Sequence, residues 1–153
     1  MIAVVQRVSE ASVDVEGARA GSIGVGLVVL AAVCKTDTID DVNWTAKKLV
    51  ELRLFPAGDK NFDIDVRAAG GSILLISNFT VAAETSKGRR PSFIAAADAQ
   101  QGGELFAALL DAVRATGVPV QTGRFRSDMK VNLVNDGPAT VLVNSAEGRA
   151  GSS

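Results

Sequence analysis

The sequence predicts an α/β fold of the mixed α+β kind, mainly antiparallel or mixed β-sheet with two main helices packed on one side. Three observations lead there. Residues 27–33 form a continuous aliphatic run suited to a strand buried on both faces, two separate segments carry apolar residues at helical spacing, and the chain order is strands, helix, strands, helix, strands. With 153 residues the chain is of single-domain size, and a domain of about 150 residues buries roughly 68–70% of its unfolded surface.

Ile2, Val4 and Val8 open a strand that contains Arg7, and residues 11–15 alternate into a turn at Gly17, so the chain starts rich in hairpins. After Ile23 and Gly24-Val25-Gly26 comes the aliphatic run, expected at the centre of the sheet. Thr38-Ile39-Asp40-Asp41 has the form of a capping box, and Ile39, Val42, Ala46, Leu49 and Leu52 then recur at helical spacing, predicting a helix that ends near Leu54. Residues 56–60 read as a polar loop, and Gly70-Gly71 as a tight turn before a buried strand at 73–76. A second helix is expected from about Gly103, with Leu105, Phe106, Leu109, Leu110 and Val113 on one face, ended by Gly117 and Pro119. Strands at 118–122, 130–134 and 139–143 complete the pattern. The domain is thus residues 1–145, and residues 146–153, with nothing to bury, are expected to be a flexible tail.

Composition excludes several classes. The longest apolar stretch is far short of the roughly 20 residues that span a bilayer, and no secretory leader is evident, so a cytoplasmic setting and no membrane partner are expected. A net charge of −1 argues against a general nucleic-acid binder. Charge is nevertheless uneven: residues 85–97 contain no acid while Lys87, Arg89 and Arg90 cluster there, and Arg124, Arg126 and Lys130 form a second basic group. The single Cys34 reads as a buried small hydrophobe. With no histidine and one cysteine, no metal site and no cofactor are expected.

The absence of histidine also removes the usual general base, so chemistry must lean on backbone groups, hydroxyls or the substrate itself. Ser77-Asn78-Phe79-Thr80 directly follows the buried run 73–76, where strand ends favour sites. On spacing alone the plainer reading has Ser77 and Thr80 satisfying local backbone; the functional one makes an oxyanion hole of backbone N–H groups beside a hydroxyl. Gly137-Pro138 in Asn135-Asp136-Gly137-Pro138-Ala139-Thr140 is by itself an ordinary turn between strands, though its rigid carbonyls suit an ammonium group. Lys87-Gly88-Arg89-Arg90-Pro91 is as readily a solvated loop as a phosphate contact. Gly24-Val25-Gly26 precedes a strand and is no dinucleotide fingerprint.

These segments, in order and in register, resemble the D-aminoacyl-tRNA deacylase family from Ala3-Val4-Val5-Gln6-Arg7-Val8 to Ser145. Ser77-Asn78-Phe79-Thr80 is similar to the family's Ser-Gln-Phe-Thr motif and the segment at 135–140 to its Asn-x-Gly-Pro-x-Thr motif, while Lys87-Gly88-Arg89-Arg90-Pro91-Ser92-Phe93 is a third shared block and Thr122-Gly123-Arg124-Phe125 adds support. The resemblance implies a homodimer in which Gly137-Pro138, as a cis peptide, enters the partner's site, holds the substrate amino group and leaves no room for an L side chain. It further implies that Arg7 orients this motif, that Phe79 and Thr80 offer N–H groups to the ester carbonyl of tRNA-borne D-amino acids and glycine, and that a terminal ribose hydroxyl assists. Two positions depart from the pattern: Asn78 replaces the usual glutamine, and Arg126-Ser127 stands where Gly-Ala is common. Two alternatives stand beside this reading: a non-catalytic dimeric binding module for a small amine or an RNA end, and a hydrolase using Ser77 or Thr80 as nucleophile.

Overall fold

The structure is a computed structural model and describes residues 1–151. Its spine is β1 (Ile2–Val15), a long strand that turns through Glu16 and Gly17 into β2 (Ala18–Ile23). Strand β3 (Gly26–Ala32) pairs antiparallel with the first half of β1, matching Ile2 with Ala32 and Val8 with Gly26. On its other edge β3 takes β6 (Ser72–Ser77) in parallel, and β6 takes the short β7 (Val120–Thr122), also in parallel. This places the aliphatic run at the centre of a mixed sheet, as its two-sided burial predicts.

Helices α1 (Ile39–Glu51) and α2 (Ala99–Arg114) cover one face of that sheet. Val42, Ala46 and Leu49 of α1 and Phe106, Leu109 and Val113 of α2 share a core with Ala3, Val5, Leu27, Val29, Ile73 and Leu75. The opposite face buries Val8, Val13, Val28, Leu74 and Ile76 beneath Met129, Val131 and Leu133. The box at α1 forms: the Thr38 N–H and hydroxyl donate to the Asp41 carboxylate at 2.9 and 3.1 Å.

Several expectations are corrected. Helix α2 starts four residues before Gly103, because Asp98 accepts from the Gln101 N–H at 2.9 Å and caps it there. The loop at 56–60 is the bend of a small hairpin, β4 (Phe55–Ala57) with β5 (Lys60–Ile64). The strand at 118–122 is shorter and begins at Val120. Cys34 lies half-buried just beyond β3, with burial, and Asp37 after it, pushing the thiol pKa up.

The expected tail is a helix over most of its length, α3 (Ser145–Ala150), while Ser152 and Ser153 lie outside the described residues. What the sequence lacks in apolar anchors it supplies in polar ones. The buried Ser145 hydroxyl donates to Asp41 at 2.7 Å and accepts from the Met1 ammonium at 2.8 Å, and Arg149 pairs with Asp41 at 2.9 Å. Gly148 lies so close to Trp44 that an added Cβ would sit 2.0 Å from its ring.

The largest revision concerns residues 129–144, expected as two strands with a turn between. They form one strand, β8 (Met129–Asn144), both halves of which pair antiparallel with β1. The Gly-Pro segment is a bulge in that strand. Gln6 pairs with Thr140 and Val8 with Asn135, so residues 136–139 bow out opposite the single residue Arg7.

Candidate active site

A cleft of about 770 Å³ opens at the end of β6, bounded by Ser77, Asn78, Phe79 and Thr80, by the start of α2, and by residues 125–129 and Val131. It lies beyond the carboxyl ends of the parallel pair β3 and β6, where strands stop and side chains are free to converge. β6 ends with the Asn78 N–H donating to the Ala31 carbonyl at 2.9 Å. The chain then makes a single 3₁₀ turn, Phe79–Ala82. The leading N–H groups of such a turn have no carbonyl within it to receive them, so Phe79 and Thr80 present donors at the rim.

The side chains at the rim are fixed in ways the sequence does not reveal. Thr80 Oγ1 donates to Asn78 Oδ1 at 2.5 Å, which ties the shortened amide to the hydroxyl. An amide oxygen is not a base, so this bond holds the hydroxyl without activating it. Phe79 is 58% exposed and meets Phe93 edge to face, with ring centroids 5.2 Å apart. Asp98 and Asp128 are the carboxylates of the lining, and Asp98 is engaged as the α2 cap.

Gly137 and Pro138 do not line this cleft; they stand exposed on the bulge of β8, joined by a cis peptide bond. The bulge is braced from inside and out. Asn135 Oδ1 accepts from the Ala139 N–H at 2.7 Å while its Nδ2 donates to Thr140 Oγ1 at 2.9 Å. Underneath lies Arg7, only 5% exposed, whose Nε donates to the Asp136 carbonyl at 2.7 Å. Its Nη1 donates to the Leu54 carbonyl at 2.7 Å and to Asn61, and the guanidinium lies 5.3 Å from the Phe62 ring centre. Gly137 has φ +150°, and a Cβ there would come within 2.7 Å of the Ala139 nitrogen and 3.0 Å of Arg7 Nη2. Arg7 is therefore the buried prop of the bulge.

Lys87, Arg89 and Arg90 sit on an exposed loop closed by two backbone bonds between Glu84 and Ser92, at 2.8 and 2.9 Å. The Glu84 carboxylate accepts from the Ser86 N–H at 2.7 Å, which lowers its pKa. The structure thus gathers Ser77 to Thr80 in one cleft, joins the basic loop to its rim through Phe93, and sets the Gly-Pro bulge elsewhere. Sequence reasoning gave no structural role to Asn135, Thr140 or Asp98. The symmetric placing of Asn135 and Thr140 around Gly-Pro is the signal that could have found the first two.

Known proteins resemble this chain over nearly its whole length. A family model described as D-Tyr-tRNA(Tyr) deacylase matches residues 4–144. A D-aminoacyl-tRNA deacylase of Geobacter sulfurreducens is 48% identical over 145 residues, covering 95% of each chain. One of Chloroflexus aurantiacus is 48% identical, covering 96% of this chain and 92% of its own. Among solved structures, a c-Myc DNA unwinding element binding protein superposes with a TM-score of 0.89 at 32% identity, over 94% of this chain and 98% of its own. A probable eukaryotic D-amino acid tRNA deacylase, at 15% identity and a TM-score of 0.80, covers 93% of this chain and 97% of its own and shares the fold. With a family match over nearly its whole length and relatives near half identity, the chain belongs to the D-Tyr-tRNA(Tyr) deacylase family.

Proposed function

We propose that this protein hydrolyses the ester bond of D-aminoacyl-tRNA, and of glycyl-tRNA, releasing the free amino acid and the tRNA in the cytoplasm. The observation that carries the reading is a cleft with unpaired backbone donors and an unactivated hydroxyl, in a chain without histidine. Such a site stabilises an oxyanion but supplies no base. The N–H groups of Phe79 and Thr80 receive the ester carbonyl oxygen as it gains negative charge. The ribose hydroxyl next to the ester assists the attacking water, and the bond from carbonyl carbon to ribose oxygen breaks. Ser77 and Asn78 shape the wall beside it.

Chirality is read by a second subunit. Gly137 and Pro138 lie outside the cleft of their own chain, and among the described residues β8 pairs only with β1, leaving one edge of a 16-residue strand unpaired there with Leu142 76% exposed. An open edge of that length invites a partner strand. In the homodimer the bulge of one subunit enters the cleft of the other, its carbonyls holding the substrate ammonium and its rigid backbone excluding an L side chain. Arg7 and Asn135 keep it in place, and Lys87, Arg89 and Arg90 meet the phosphates of the acceptor end.

The test offers purified protein matched D- and L-aminoacyl-tRNAs and glycyl-tRNA, with the subunit count read by light scattering. Hydrolysis confined to the D and glycyl esters is expected; equal hydrolysis of both hands, or none, sinks the proposal. Thr80→Ala should keep most of the rate, whereas its complete loss in a folded protein would make Thr80 the nucleophile. RNA binding with no turnover would favour a non-catalytic binding module.

A further inference from the structure

Two non-glycine residues of the described chain adopt a left-handed backbone, Glu16 at φ 52° and Arg126 at φ 56°. Glu16 is accounted for by the two-residue turn between β1 and β2, which requires that conformation. Arg126 sits in the loop before β8, at a position where a side chain is disfavoured. The loop is firmly placed. Phe125 stacks on Phe106 of α2 with centroids 6.3 Å apart, and Gly103 leaves room for its ring.

The flanking arginines have different fates. Arg124 pairs with Glu16 at 3.4 Å, whereas Arg126 makes no ion pair among the described residues and lines the cleft that holds Ser77 and Thr80. It is the one cation among the described residues lining that cleft, against the carboxylates of Asp98 and Asp128. A polyanionic substrate arriving there meets two like charges and one guanidinium.

We propose that Arg126 contacts a backbone phosphate of the RNA strand whose end occupies the cleft, setting affinity and position while taking no part in ester cleavage. The proposal deepens the tRNA reading and rests on it for the identity of the ligand. A planar guanidinium suits a phosphate. A contact of this kind acts on binding, so KM carries its loss and kcat does not.

The experiment measures binding of a fluorescent, uncharged acceptor-stem hairpin with a single-stranded 3′ end as salt is varied. Wild type is compared with Arg126→Gly, Arg126→Ala and, as a charge-matched control on the exposed side of α1, Lys47→Ala. Both Arg126 variants should bind about 5- to 10-fold more weakly at low salt, with the logarithmic salt slope reduced by about 0.7–0.9. The glycine variant alone should gain about 2 °C or more in Tm, because it relieves the left-handed position. On D-aminoacyl-tRNA both should raise KM and keep kcat. Unchanged affinity and slope in both variants, or an equal loss in Lys47→Ala, overturns the proposal. Absence of wild-type turnover overturns the deacylase reading instead, since the binding comparison is made on uncharged RNA.

Discussion

Replacing Arg7 with methionine tests whether one buried side chain holds the Gly-Pro bulge. The guanidinium makes two short bonds, to the carbonyls of Leu54 and Asp136, both at 2.7 Å, and weaker ones to Asn61 at 3.2 and 3.3 Å. The two carbonyls respond differently to its loss. Leu54 is 7% exposed, so its oxygen would be stranded at a cost of about 1–3 kcal/mol, while Asp136 lies on an exposed bulge where water can take over. The cation over Phe62 adds about 0.5–1 kcal/mol. Part is offset, because methionine fills similar volume and removes a buried cation that has no carboxylate partner among the described residues. The net expectation is about 2–3 kcal/mol, which for a domain of this size lowers Tm by about 4–12 °C. Urea unfolding and a thermal melt measure it, with Arg7→Lys as a second arm that keeps charge but not the fork. A methionine variant within about 0.5 kcal/mol of wild type would refute the role of Arg7 as prop. Discrimination between D and L esters should fall in the same variant.

Asp41 gives a pH signature. Burial raises its pKa, but bonds from the Ser145 hydroxyl, the Thr38 N–H and hydroxyl, and Arg149 outweigh that and hold the carboxyl well below the usual range. The folded carboxylate keeps its charge to lower pH than the unfolded one, so it adds stability above about pH 4 that disappears as pH falls further. Wild type should therefore lose stability more steeply below pH 4 than Asp41→Asn, as followed by urea midpoints. Gly148→Ala should drive α3 off its seat, costing about 1–3 kcal/mol and red-shifting the emission of Trp44, the single tryptophan. Unchanged fluorescence would mean that the helix does not rest there. Gly137→Ala places a Cβ against the Ala139 nitrogen and Arg7, so it should cost at least about 1 kcal/mol in denaturant titrations and lower the ratio of D to L hydrolysis.

Elements that follow one-dimensional rules were legible in the sequence. The two-sided burial of β3 follows from an unbroken aliphatic run, and α1 from a capping box followed by apolar residues at helical spacing. What escaped depends on partners distant in sequence. Residues 129–144 look like two strands and a turn because Gly-Pro usually ends a strand. Only β1, unbroken from residue 2 to residue 15, shows that both halves belong to one ladder. Likewise α3 has no apolar signature, since its anchors are Asp41 and Trp44 from α1. The site was half visible: the run from Ser77 to Thr80 ends a buried strand as expected. The role of Arg7 rests on the carbonyls of Leu54 and Asp136, which no local pattern connects to it.

The pairing of β1 with β8 also bears on when the protein can fold. Residue 2 meets residue 144 and residue 15 meets residue 129, so β1 lacks one neighbour until β8 has been synthesised. At about 5–20 residues per second that delay is on the order of ten seconds. Until then Arg7 has neither the Asp136 carbonyl nor a bulge to support, and Val8 and Val13 lack the cover of Val131 and Leu133. Through that interval the hairpin of β1 and β2 stands with one edge of β1 open and one apolar face uncovered, the state in which a slow, long-range pairing is most exposed to wrong partners.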